Sequence, residues 1–338
     1  MHTASRAIRR LVFCAAAFLP AGGGLVQPTL LATLLATTAA AAEPPSEQAI
    51  APREQPIRFK LVHEWTAAGV SMPGTIVCLD DDDARSAAEG LEPAVAIVVL
   101  DGRRTVVVLD ARGRELARHA LRIPGEAEVH CLRTAVDSRR KRWWLGVARA
   151  APRVFLFDDG WTLRATYPSP DGPAREPIGN AQLADCDGDG SPEIVVAFGG
   201  AGGVEAASLD GRRLWQARSI AAVGDVALDA PRPAGGRGLV CTDGLGRLTR
   251  IAADGVAGAA RMAGPRGIHR LFGGPVAPDA AWALVGFAAC EDGGTEAVGI
   301  GPDLERAWSL ELCRGPHRAG PIEPVAWANL LGTQRGNG

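Results

Sequence analysis

The chain is short of the features that announce an activity. Its 338 residues hold no G-x-S-x-G elbow and no P-loop, which excludes a serine hydrolase of that type and a Walker-type phosphate cradle. No C-x-x-C and no Cys/His ligand spacing occurs, so a zinc ribbon and a thioredoxin-like redox pair are excluded too. The histidines are His2, His63, His119, His130, His269 and His317, and none pairs as H-E-x-x-H or at i,i+4. Charge of one sign is also lacking. Lys and Arg total 36 against 38 Asp and Glu, a net charge of −2 with no electrostatic footprint for nucleic acid. The Arg139-Arg140-Lys141-Arg142 run reads as a solvated turn between strands. Aromatic residues make up only 5%. The apolar stretches near the N-terminus are broken by Pro20, Gly22 to Gly24 and Gln27-Pro28, short of the ~18 residues a membrane span needs.

What is abundant is punctuation. There are 42 glycines and 24 prolines, which predicts many turns and few long helices. Residues 1–42 read as a signal peptide. Arg6, Arg9 and Arg10 form a positive n-region, Leu11 to Leu19 an apolar h-region, and Ala40-Ala41-Ala42 a small-residue cleavage site before Glu43-Pro44-Pro45. Residues 43–56 are polar and proline-containing, a disordered linker. Export to the periplasm or the medium follows, without a stable membrane span after cleavage. Six cysteines remain, Cys78, Cys131, Cys186, Cys241, Cys290 and Cys313, and an exported chain permits disulfides. Cys78, Cys131 and Cys241 nevertheless fall in apolar strand-like runs, where buried thiols are common.

The most informative stretch is Asp185-Cys186-Asp187-Gly188-Asp189-Gly190-Ser191-Pro192-Glu193, followed by Ile194 to Phe198. Four carboxylates occupy these nine residues. Without a cation they repel by roughly 1 kcal/mol per pair at ~4 Å in water, and by more near a protein surface. Hard oxygen ligands at alternate positions suit Ca²⁺. An EF-hand is excluded, because its position 12 needs Glu and here is Val196. The flank Ile194 to Phe198 is also a strand, not a helix. A shorter loop fits. Its expected ligands are the carboxylates of Asp185, Asp187 and Asp189, the main-chain carbonyl of Ser191, and the carboxylate of Glu193. The alternative is an acidic β-turn without metal.

Beyond residue 57 the chain repeats. A strand ending in an acidic turn, then a second strand, recurs around Asp110, Asp158, Asp210, Asp254 and Asp303, spaced 48, 52, 44 and 49 residues apart. Each unit has an earlier apolar strand, such as Ala94 to Leu100 or Trp143 to Ala148. Several short strands per unit at this period predict an all-β propeller of four-stranded blades. A β-sandwich is the runner-up, but it leaves the period unexplained. Five complete blades are expected, over residues 74–121, 127–168, 178–220, 223–262 and 268–313. Residues 321–338 with 57–69 would supply a partial blade. The ring is then six- or seven-bladed, or incomplete.

The string from Asp185 to Val196 resembles the FG-GAP/VCBS repeat of integrin α-subunits and many secreted bacterial proteins. The resemblance is specific for one repeat, residues about 178–220. It implies a propeller whose loop between two blade strands binds Ca²⁺. Glu193 stands where Asp is more usual in that family. Asp80 to Asp83 occupies the matching place in the first blade without the glycines, as a solvated acidic turn or a weaker cation site. Asp137-Ser138-Arg139-Arg140-Lys141 puts basic residues where ligands belong.

The other candidates read as structure. Gly199 to Gly203 is a hairpin turn rather than a phosphate cradle. Trp65, Trp215 and Trp308 recur at equivalent positions and belong to blade packing. Trp143-Trp144 alternates across a strand, so one ring is expected to face solvent as a candidate contact for a sugar or partner. Two function classes stand. The first is an exported, monomeric, non-enzymatic module that binds a protein or glycan, with calcium as a structural staple. The second is an enzyme on the same scaffold, such as a polysaccharide lyase or a quinone-dependent dehydrogenase. A lyase would bring a catalytic domain and a quinoprotein would bring cofactor-clamping motifs, and neither is visible.

Overall fold

The computed structural model describes residues 66–67, 69–79, 96–148, 152–172, 176–231, 236–273, 284–291 and 294–313. Within them the chain forms nineteen strands and no helix. They group into five antiparallel meanders, each with its strands in sequence order. The first blade holds β1 (Pro73–Leu79), β2 (Ala96–Asp101), β3 (Thr105–Asp110) and β4 (Glu115–Ala120). The second holds β5 (Cys131–Val136), β6 (Arg142–Ala148), β7 (Arg153–Asp158) and β8 (Leu163–Tyr167). The third holds β9 (Ile178–Ala184), β10 (Glu193–Phe198), β11 (Val204–Ala207) and β12 (Arg213–Ala217). The fourth holds β13 (Asp225–Pro231), β14 (Arg237–Thr242) and β15 (Leu248–Ile251). Its fourth place is taken by two isolated bridges, Leu248 to Arg261 and Ile251 to Ala257. The fifth holds β16 (Ile268–Gly273), β17 (Leu284–Ala289), β18 (Thr295–Ile300) and β19 (Arg306–Cys313).

Strand periodicity explains how the blades stack. Along β10, Ile194, Val196 and Phe198 pack with Leu145, Val147, Val154 and Leu156 of the second blade. The alternate residues Val195 and Ala197 pack with Val226, Leu239 and Cys241 of the fourth. Both faces of the sheet are therefore covered, and every residue of β10 is buried. Parallel cores join the first blade to the second, through Val98, Leu100, Trp144 and Phe157, and the fourth to the fifth, through Val240, Leu248, Leu284 and Ile300. Burying one such aliphatic side chain contributes about 1.5–3 kcal/mol, so these four seams dominate the stability of the array. The outer strands are half solvated, as the alternation of β4 shows. Sheets that pack face to face in series, each a four-strand meander, are the blades of a β-propeller.

The acidic turns carry one correction to the sequence register. The Gly113 N–H donates to Asp110 O at 2.9 Å, and the Trp161 N–H to Asp158 O at 3.0 Å. The same bond in the next three turns runs from Gly211 to Ser208, Gly255 to Ala252 and Leu304 to Gly301. The residue at that donor position is left-handed in all five turns, with φ between 60° and 85°. Asp210, Asp254 and Asp303 therefore sit two residues later in their turns than Asp110 and Asp158. Equivalent positions are 48, 50, 44 and 49 residues apart.

Several expectations lie outside the described residues: the signal peptide at 1–42, the linker at 43–56, Trp65, Asp80 to Asp83, and the partial blade built from 321–338. The total of six or seven blades rests on those segments. Of the cysteines expected to be buried, Cys131 and Cys241 are, but Cys78 is exposed. Val77 and Leu79 turn toward the second blade, so strand alternation carries Cys78 to the opposite face.

Candidate metal centre

The acidic stretch is the connection between β9 and β10, the first and second strands of the third blade. Strands flank it, so it is not an EF-hand. Carboxylate oxygens of Asp185, Asp187, Asp189 and Glu193 come within 4.8 Å of one another. The loop is built by these same side chains. Asp185 accepts from the N–H of Gly188 (2.6 Å) and of Gly190 (2.9 Å). Asp187 accepts from Asp189 N–H, and Asp189 from Ser191 N–H. Glu193 accepts from Cys186 N–H at 2.6 Å. The fifth expected ligand, Ser191, thus lies in the loop with its main chain turned into this bonding pattern, and its side chain is exposed.

The electrostatics are uneven. Asp187 and Asp189 are exposed and Asp185 is half-buried, but Glu193 is only 5% exposed. Burial, followed by the charges of Asp187, Asp185 and Asp189, pushes the Glu193 carboxyl up to about 7. A divalent cation would reverse that shift by compensating the charge. The donor set is all oxygen, which suits a hard cation and not a soft one. Cys186 lies within the loop, yet burial and the adjacent carboxylates push its thiol far above its ordinary range, so it remains a thiol. Its Sγ donates to Ala184 O. A hard divalent cation fits this cluster.

Both neighbouring blades reach the loop. The Ser138 N–H of the second blade donates to Gly190 O at 2.7 Å. The Arg237 N–H of the fourth donates to Asp185 O at 3.0 Å. Two glycines permit this approach. A Cβ on Gly190, whose φ is +87°, would stand 2.7 Å from Ser138 Cβ. A Cβ on Gly236, whose φ is +73°, would stand 2.6 Å from Cys186 O. Conversely, Asp137 in the second blade caps its own turn, accepting from Arg139 and Lys141 N–H and from Trp143 Nε1.

The remaining candidates fall into place. Gly199 to Gly203 forms the β10–β11 turn, and its N–H groups cradle the carboxylate of Glu176, with Gly202 donating at 2.7 Å. Hydrogen bonds from Ala201, Gly202 and Gly200 hold that carboxyl below its usual range. Trp144 is buried and stacks on Trp161 at 4.7 Å between centroids. Trp143 is half-buried and covered by Lys141 Nζ, 4.1 Å from the ring, which leaves less open ring than the expected sugar contact. Trp215 and Trp308 pack against blade cores. Sequence reasoning missed two features. Glu205, fully buried, bonds the hydroxyl of Tyr167 across the seam between second and third blades. Arg133, Asn180, Asp225 and Arg270 meet on the innermost strands, although β5, β9 and β16 each carry a polar side chain at their third residue. Aligning the first strands of the blades would have exposed that signal.

No family model matches the chain, and no curated protein matches it. Solved structures do resemble it. One is BBS1N in complex with ARL6DN, soaked with lead, at 12% identity and a TM-score of 0.50, covering 73% of this chain and 71% of that one. The mercury-soaked form of the same complex has a TM-score of 0.50 at 8% identity, over 72% and 70% of the two chains. The V. cholerae biofilm matrix protein Bap1 aligns at 15% identity with a TM-score of 0.42, over 73% of this chain and 41% of that one. At these identities the BBS1N likeness shows the fold alone, a β-propeller.

Proposed function

We propose that the protein is an exported calcium-binding propeller of the FG-GAP/VCBS kind that acts as a structural or interaction module for a protein or glycan. The observation that carries the cation reading is the convergence of Asp185, Asp187, Asp189 and Glu193 within 4.8 Å, with Glu193 buried. In this reading the Ser191 carbonyl completes the ligand set, and the ion is calcium because an exported chain meets that cation at high concentration. The ion holds the β9–β10 loop in the shape that both adjoining blades contact. The module reading is supported by the scaffold, and by the fact that BBS1N was crystallised with a protein partner; that support is an analogy of fold. The expected state is a monomer outside the cytoplasm.

The test is a calcium titration by calorimetry together with thermal melts in calcium and in chelator. Calcium at about 100 times its Kd should stabilise the folded chain by about 2.7 kcal/mol. Asp187→Ala should melt alike in both conditions. Equal melts of the unmodified protein with and without calcium would overturn the metal reading.

A further inference from the structure

The fourth blade departs from its neighbours at the outer rim. Its outermost place is held by two isolated bridges, at Ala257 and Arg261, where the other four blades have a regular strand. Between the bridges lie Gly258, Ala259 and Ala260, which carry nothing larger than a methyl group. Residues this small leave open the space that an outer strand's side chains would fill. A cleft of about 380 Å³ opens there, lined by this rim and by Asp303 and Leu304 of the fifth blade. That volume lies at the small end of ligand pockets, which run from about 300 to 1,000 Å³.

Apolar and charged groups share the lining. Ala252, Val256 and Leu304 are the apolar part, and Val256 is 63% exposed. Leu304 has a φ of +61° and packs into the core between the fourth and fifth blades, which anchors the turn that carries Asp303. The charged part is Arg250, Arg261 and Asp303. Arg250 is occupied. Its Nε donates to Asp229 Oδ2 at 2.5 Å and its guanidinium to Pro302 O at 2.7 Å, which ties the fifth blade's turn to the fourth blade. Arg261 and Asp303 differ from it. Both are exposed, and among the described residues neither side chain has a hydrogen-bond or ion-pair partner. The Arg261 backbone is held by Leu248 through bonds of 2.7 and 2.8 Å, so only its side chain is uncommitted. Opposite charges from two blades that line one small cleft without pairing are the complement of a zwitterion. We propose that this cleft binds a free α-amino acid with a small apolar side chain. Arg261 takes the carboxylate through its planar fork of donors, and Asp303 takes the ammonium. The ligand's side chain lies against Ala252, Val256 and Leu304. The acidic loop plays no part, so the site is independent of the cation reading.

The experiment is calorimetry on the full chain at neutral pH and fixed ionic strength, with L-valine as the probe. Isovalerate, which lacks the ammonium, and isobutylamine, which lacks the carboxylate, are its half-ligands. Valine should bind saturably. Each half-ligand should bind about tenfold more weakly, as the loss of a charge-assisted hydrogen bond implies. Arg261→Gln should weaken valine by a similar factor and leave isobutylamine unchanged. Asp303→Asn should weaken valine and leave isovalerate unchanged; circular dichroism checks that each variant is folded. Asp187→Ala should bind valine like the unmodified protein, which separates this proposal from the calcium reading. No saturable binding of valine would overturn it. So would half-ligands that bind as tightly as valine, a comparison that needs no variant. A folded Arg261→Gln or Asp303→Asn that binds valine as before would overturn it too.

Discussion

At the scale of single residues, Glu193 is where the chemistry of the acidic loop is concentrated. The three aspartates are at least partly solvated, and their repulsion is relieved by water. Glu193 is the first residue of a fully buried strand, so its charge has nowhere to go. Its raised pKa, about 7 against an ordinary 4.5, gives a signed prediction. Between those values the folded, calcium-free protein holds a proton that the unfolded chain has released. Stability of the stripped protein should therefore fall as pH rises from about 4.5 to about 7, by at most about 3 kcal/mol. Calcium should remove this slope, because the ion takes the place of the proton. Melts of stripped protein across that range would read it, and Glu193→Gln should flatten the stripped profile. A stripped protein that becomes more stable over the same range would contradict the assignment. The clustering of the four carboxylates was legible in the sequence because Asp185, Asp187, Asp189 and Glu193 lie close along the chain, and the structure brings them within 4.8 Å of one another. The belt of Arg133, Asn180, Asp225 and Arg270 was not, because its members lie 45 to 47 residues apart and meet only through the packing of successive blades.

At the scale of elements, turns and strands tell different stories. Strand positions follow from β-branched runs such as Val106 to Leu109 and Ile194 to Val196, and the structure places strands on both. Turn register was harder. An aspartate is visible in all five turns, but it caps the turn from two different positions. Asp110 and Asp158 accept backbone N–H groups four residues on, Arg114 and Thr162, each at 2.9 Å. Asp210 and Asp254 accept from two residues on. Either placement satisfies the turn, so sequence spacing alone does not fix its phase. The first position does more. Asp158 is 5% exposed and also receives Arg164 Nε at 2.7 Å, and its carboxyl is held below the usual range although burial alone would raise it. Asp158→Ala should cost about 1–2 kcal/mol, the value of a charged cap with its backbone bond. Asp254→Ala, with one exposed cap bond, should cost less than half of that. Urea melts of the two variants check the order, and equal losses would mean that the aspartates are interchangeable markers.

At the scale of the whole molecule, the propeller is a row of sheets joined by apolar seams, and the acidic loop interrupts that row with a polar joint. The seams between second, third and fourth blades are continuous cores and need no cation. The loop edge is different. There the third blade touches the second through Ser138 N–H to Gly190 O and the fourth through Arg237 N–H to Asp185 O. Both acceptors are carbonyls of the loop, so the loop's shape decides whether either bond forms. A cation that fixes this shape would therefore act on three blades, although all its side-chain ligands come from one. Amide exchange measures this directly. Removing calcium should speed exchange at Gly188, Gly190 and Ser191, and also at Ser138 and Arg237, which carry no ligand. Each factor of ten corresponds to about 1.4 kcal/mol of lost local stability. Amides deep in the seams, such as those of Val195 and Leu145, should change far less, because apolar packing holds them. If faster exchange stayed within residues 185–193, the ion would be a local turn-former. If Ser138 and Arg237 respond together with the loop, it is a joint between blades.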